Sequence, residues 1–131
     1  MISEYETIEK EVYNALENNR SIKQIKRIQN IYDLGQLLIR EQFLITKNPS
    51  ATYYRERRFV AIPSDYYELA LRHNLDHRRC GLVQFGFSTK VYCGGDSILF
   101  AVQVINKYPS DNYIEPKNSH EYFIDYAISF Y

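Results

Sequence analysis

The chain is short of the residues that usually announce chemistry. Its 131 residues include two cysteines, three histidines, five glycines, one methionine and no tryptophan. Two cysteines, Cys80 and Cys93, cannot build a disulfide scaffold. The sparse glycine excludes a glycine-rich phosphate loop, because Gly94-Gly95 lacks the Walker lysine and hydroxyl spacing. Charge of one sign is also missing: 16 basic residues balance 16 acidic ones. A dedicated nucleic-acid binder carries a basic excess, since phosphate neutralisation dominates its affinity. No apolar run is long enough to span a bilayer. The opening Met1-Ile2-Ser3-Glu4-Tyr5-Glu6 has neither a basic n-region nor an apolar h-region. The expectation is a cytoplasmic chain, without membrane association, whose thiols are reduced.

What is abundant is tyrosine, thirteen residues of it. Tyrosine combines a large, rotor-poor contact area with a polar tip, which suits recognition surfaces. A Tyr/Asn/Ile-rich composition also follows from an AT-rich genome. Apolar residues make up 45% and charged residues 24%, so the composition is that of a folded protein and a single domain over residues 1–131 is expected. Charge is locally uneven. Residues 1–19 hold five acids and one lysine, residues 20–30 hold four bases and no acid, and residues 81–131 hold three bases and five acids. Such asymmetry can steer a charged partner.

Ser3 and Glu6 have capping-box spacing, and Tyr5, Ile8, Val12, Ala15 and Leu16 share one face of the helix that follows. Ser21 and Gln24 repeat the spacing and predict a second helix with apolar positions Ile22, Ile25, Ile28, Tyr32, Leu38 and Ile39. Its stripe widens after Ile31, which predicts burial on more than one side, and Gly35 allows a neighbour to approach closely. A helix-turn-helix over residues 21–45 is the alternative reading. Asn48-Pro49-Ser50 ends the helix, Phe59 to Ile62 is a strand, and Pro63-Ser64-Asp65 opens a short third helix with Tyr67, Ala70 and Leu71 inward. Strands are expected from Leu82 to Phe87, around Val91-Tyr92-Cys93, from Ile98 to Ile105 as a central strand, and from Tyr122 to Phe130, with a hairpin at Gly94-Gly95-Asp96. The last strand alternates an apolar face, Tyr122 to Phe130, with a more polar face holding Glu121 and Asp125. The pattern predicts an α+β fold: two N-terminal helices and one short inserted helix packed on one face of an antiparallel sheet of about four to five strands.

Four constellations bear on function. His73, His77, Arg78 and Arg79, with Lys90 and Tyr92, hold the types that a metal-independent ribonuclease needs: a base, an acid and cations for the phosphate. Cys80 beside these arginines is a candidate reactive thiol, or an ordinary packed one. His73 and His77, with Asp76 or His120, have possible metal spacing, but two surface histidines at a helix end are the favoured reading, and no cofactor or metal is expected. Tyr54, Arg55 and Arg57 interleave aromatics with cations, as at protein hot spots or base-stacking surfaces. Tyr113, Glu121, Tyr122, Asp125 and Tyr126 form an acidic, tyrosine-lined stretch suited to a basic partner.

Ile62-Pro63-Ser64-Asp65-Tyr66-Tyr67-Glu68-Leu69, with Asn74 behind it, resembles a segment of SUKH-type immunity proteins. Those are intracellular proteins, many of which neutralise a toxin by binding it. The likeness spans about thirteen residues and lacks the Gly-Gly that follows in that family. Together these features lead to the expectation of a non-enzymatic binding protein, an immunity or inhibitor protein that blocks a basic toxin or effector sterically. A small ribonuclease and a small-ligand or nucleotide-binding domain are the alternatives, and a nucleic-acid partner is the less favoured one.

Overall fold

The computed structural model of the protein describes residues 3–76, 86–107, 111–116 and 118–131. Among them are three α-helices and six strands joined into one antiparallel sheet. Helix α1 (Glu4–Ala15) begins where Ser3 Oγ accepts the Glu6 N–H at 3.2 Å. It buries Ile8, Val12 and Ala15, spaced four and three apart as one helical face requires.

The predicted second helix starts later than its capping spacing suggests. Residues Ile22–Arg27 form an edge strand, β1, paired with the last strand of the chain. One extra residue between Ile22 and Gln24 breaks the two-residue period, so Ile22 and Ile25 pack on the same cluster although they stand three apart. A bulged strand therefore imitates helical spacing. Helix α2 (Ile31–Lys47) is capped by Asn30, whose side chain accepts the Asp33 N–H at 3.0 Å. A strand inside residues 21–45 also removes the helix-turn-helix reading.

Strand β2 (Tyr54–Pro63) is longer than expected and includes the Tyr/Arg stretch. It leads through a 3-10 turn at Ser64–Tyr66 into α3 (Tyr67–Arg72). Strands β3 (Phe87–Ser88), β4 (Ser97–Asn106), β5 (Tyr113–Ile114) and β6 (Tyr122–Phe130) complete the sheet in the order β1-β6-β4-β2-β3-β5. Strand β4 is central, with Leu99, Phe100, Ala101, Val102 and Val104 fully buried. Gly94-Gly95 is a turn, closed by Ser97 N–H to Gly94 C=O at 3.2 Å, but not a hairpin. The strand it launches pairs with β2 and β6, and Val91 makes only an isolated bridge to Leu16. Of the strand expected from Leu82, residues 82–85 lie outside the described residues.

Helices cover both faces of the sheet, not one. Tyr67, Ala70 and Leu71 of α3 pack with Val60, Phe100, Val102 and Ile124. On the other face α1 covers Phe59, Leu99, Ala101, Tyr126 and Ile128, while Leu37 of α2 covers Ile105 and Phe123. Strands β2 and β4 offer apolar side chains to both faces by simple alternation, and β6 changes face midway. Ala101 lies opposite Tyr126 but Val102 lies opposite Ile124, so Asp125 is an extra residue. Tyr122 and Ile124 serve the α3 face, and Tyr126 and Ile128 serve the α1 face. The expected split into an apolar and a polar face fails for that reason.

After α3 the backbone turns sharply. Asn74 and Leu75 have φ of 48° and 59°, a left-handed conformation costing about 1–3 kcal/mol for a leucine. Burial of Leu75 in the core and two bonds from Asn74 Nδ2, to the carbonyls of Ser119 (2.9 Å) and Tyr122 (3.1 Å), offset it. Phe100, stacked on Tyr67 with centroids 5.9 Å apart, lies at the centre of the α3-side core. Phe100→Ala is expected to lower the free energy of unfolding by about 3–5 kcal/mol, read as a lower urea midpoint.

Candidate interaction surfaces

The charged residues singled out in the sequence meet each other inside the fold. Arg57 of β2 points to the face covered by α1 and α2, opposite Gln103 of β4. Its guanidinium donates to Asp125 at 2.7 Å and to Glu11 of α1 at 3.1 Å, and Gln103 donates to the same Asp125 oxygen at 3.0 Å. The extra residue in β6 is what brings Asp125 into this group. Tyr126, next to it, lies under the Arg57 guanidinium at 5.6 Å and donates its hydroxyl to Glu4. Burial first, then that bond and the nearby carboxylates, push the phenol well above its ordinary pKa, so it remains neutral. The group forms a polar band across β2, β4 and β6, between the apolar cluster under α1 and the one under α2.

Two further pairs hold α2. Arg40 meets Glu121 at 2.8 Å, and Arg55 meets Glu41 through two bonds of 2.7 and 2.8 Å. The sequence-predicted acidic surface is therefore not assembled: Tyr122 and Tyr126 are buried, Asp125 and Glu121 are mostly covered and paired, and only Tyr113 stands exposed, on the edge strand β5. In the second candidate patch Tyr54 is exposed, whereas Arg55 and Arg57 face the two helices and are ion-paired. Residues 57 and 125 are far apart in sequence and belong there to separate patches; the sheet order makes them neighbours.

The described members of the catalytic set, His73, Lys90 and Tyr92, are not brought together. His73 and His120 line a cleft of about 290 Å³ with Tyr32, Asp33, Arg72 and Asp76. Burial raises the Asp33 pKa above its ordinary value and nearby His120 works against that. Lys90 and Tyr92 do not line it; the Lys90 ammonium donates to the Asn14 carbonyl at the end of α1, and Tyr92 is exposed. His77, Arg78, Arg79 and Cys80 lie outside the described residues. Among the described residues no group of three or more His, Cys, Asp or Glu is placed to hold a metal ion. Cys93 is buried, and that burial raises its thiol pKa, as for a packing residue.

Two surfaces were not singled out from sequence. With Ile8, Val12 and Ala15 inward, α1 turns Tyr5, Glu9 and Tyr13 outward at four-residue spacing, flanked by exposed Glu6 and Glu17. The acid-rich residues 1–19 carried that signal, but only the burial of the inner face shows which acids remain outside. On α2, Leu37 is the one fully buried side chain, and a row of large apolar residues faces outward. No helix among the described residues is long and apolar enough to cross a membrane. The chain matches no family model and no curated protein.

The polar band sets up a contrast in stability. Arg57→Ala, which leaves the mostly covered Asp125 without its cation, is expected to cost about 2–3 kcal/mol in urea denaturation. Arg55→Ala, at a more exposed pair, is expected to cost under about 1 kcal/mol. The bonds from Arg55 lower the Glu41 pKa. That pair's contribution is present above the pH where a free glutamate titrates and disappears as pH falls through the lowered value. The difference between wild type and Arg55→Ala should vanish over that acid range.

Proposed function

We propose that this chain is a non-enzymatic binding protein that neutralises a basic toxin or effector by covering its active site. The observation that carries the reading is the α1 stripe of Tyr5, Glu9 and Tyr13 with Glu6 and Glu17 beside it. Glu6, Glu9 and Glu17 make no ion pair among the described residues, while Glu4 and Glu11 of the same helix are engaged with Arg27 and Arg57. Acids left in solvent add to the field that steers a basic partner and speed its association. Tyr5 and Tyr13 supply rigid aromatic area between them, the combination found at binding hot spots. The chemistry is that expected for the C-terminal stretch, carried by a different element. The resemblance of residues 62–74 to SUKH-type immunity proteins points the same way and adds no residue to the surface.

The cleft of His73, His120 and Asp33 favours a second reading, a small hydrolase or ligand-binding domain, because imidazoles and a carboxylate lining one cleft suit proton transfer. The two readings separate in one series. The purified chain is mixed with the products of its flanking genes. A one-to-one complex that silences one of them is expected, and Glu6→Lys with Glu9→Lys should weaken it about 10–100-fold at low salt, mostly through slower association. RNA cleavage by the chain alone, lost in His73→Ala or His120→Ala, would replace the binding reading with the enzymatic one.

A further inference from the structure

Helix α2 carries two apolar faces and the fold uses one. Its inner face places Leu34, Leu37 and Leu44 against Ile105 and Phe123, with Arg40 and Glu41 held by ion pairs. Its outer face exposes Ile31 (84%), Tyr32 (71%) and Ile39 (65%), together with Leu38, Phe43 and Ile45. At 100° per residue these positions cover about 160° of the helix circumference. Between them lie only Gly35, Gln42 and Thr46; the charges at its border are Lys47, beside Phe43, and Arg40, which is paired with Glu121. Ile31, Tyr32, Ile39 and Phe43, grouped around Ile39, expose on the order of 500 Å², comparable with the largest patch on a typical monomer and somewhat below the about 800 Å² that each partner of a stable interface covers.

We infer that this face is the interface of a homodimer, in which α2 of one copy packs antiparallel on α2 of another about a two-fold axis at Ile39. Three observations select a second copy as the occupant. First, an axis at Ile39 sets Lys47 against Ile31 of the other copy and not against its own mate, so the face can meet itself without opposing like charges, as a two-fold interface requires. Second, the face is complementary to itself in shape. In an antiparallel pair crossing at Ile39, Gly35 of one helix lies against Phe43 of the other, and Tyr32 lies against Thr46. A side chain added at Gly35 would meet nothing within 4 Å in the single chain, so no contact there accounts for a residue that weakens a helix. The hollow it leaves fits a ring, and the Phe43 ring is held in place by Arg40 and Lys47 at 5.0 and 5.6 Å. Third, α2 has Asp33 in its first turn and Lys47 in its last. An antiparallel pair sets each basic C-terminus beside the other's N-terminus, where charges and helix dipoles agree. The inference does not rest on the α1 surface.

Sedimentation of the purified chain from about 1 to about 100 μM should show a dimer that dissociates on dilution. Ile39→Glu and Phe43→Glu should each raise its dissociation constant about 100-fold or more. Both residues are exposed in the single chain, so circular dichroism should report unchanged secondary structure. Gly35→Leu should also weaken the dimer. Tyr32→Cys combined with Thr46→Cys should give a covalent dimer on oxidation, which neither change alone gives beyond wild type; the two sites are about 21 Å apart along one helix and cannot bridge within it. Glu6→Lys with Glu9→Lys should leave the dimer intact, which keeps the outcome separate from that of the neutralisation assay. A monomer over the whole range, or a dimer indifferent to Ile39→Glu and Phe43→Glu, overturns the inference.

Discussion

The extra residue at Asp125 is the constraint on which the remainder of this fold turns. Without it, β6 would keep one set of side chains on one face throughout, and Tyr126 and Ile128 could not reach α1 while Tyr122 and Ile124 serve α3. With it, the even-numbered side chains of β6 pass from one core to the other along the strand, and Asp125 comes level with Arg57 and Gln103. A carboxylate so covered needs its cation and its amide, because an uncompensated charge there would be costly. The bulge and the polar band therefore depend on each other.

The band also decides what the surface means. Arg57, Arg40 and Arg55 consume Asp125, Glu11, Glu121 and Glu41. A chain of zero net charge is thereby left with outer faces of distinct character: tyrosines and acids on α1, uncharged apolar residues on α2. Partner steering by the first and self-association by the second are separate consequences of one arrangement, since both helices lie on the same side of the sheet and turn their unused faces outward.

Elements with a clean period were legible in advance. Ser3 and the Ile8, Val12, Ala15 series marked α1; the apolar run in β4, interrupted only by Gln103, marked a central strand; Pro63 marked the entry to α3. Legibility failed where an extra residue altered the period. Lys23 made a strand look helical, and Asp125 made a two-faced strand look one-faced. The candidate site followed the same logic. Arg57 and Asp125 were both identified as notable, but as members of two surfaces, because sequence distance hides a partner across the sheet. The widened stripe of α2 predicts burial on more than one side; the structure buries one side only, around Leu37, and leaves Ile31, Tyr32 and Ile39 uncovered within the chain, because the sheet offers α2 a single apolar face to pack on.

The amino-acid sequence by itself determined the class of object: helices and antiparallel strands, with neither a cysteine framework nor a phosphate loop, and with aromatic hydroxyl surface in excess. Those are properties of composition and local period, which neighbouring residues settle among themselves. Which acids remain in water, which tyrosines are buried, and which face of α2 stands bare were decided only by the tertiary structure. Each depends on pairing and burial between residues far apart along the chain, set by strand order and by two single-residue shifts in register.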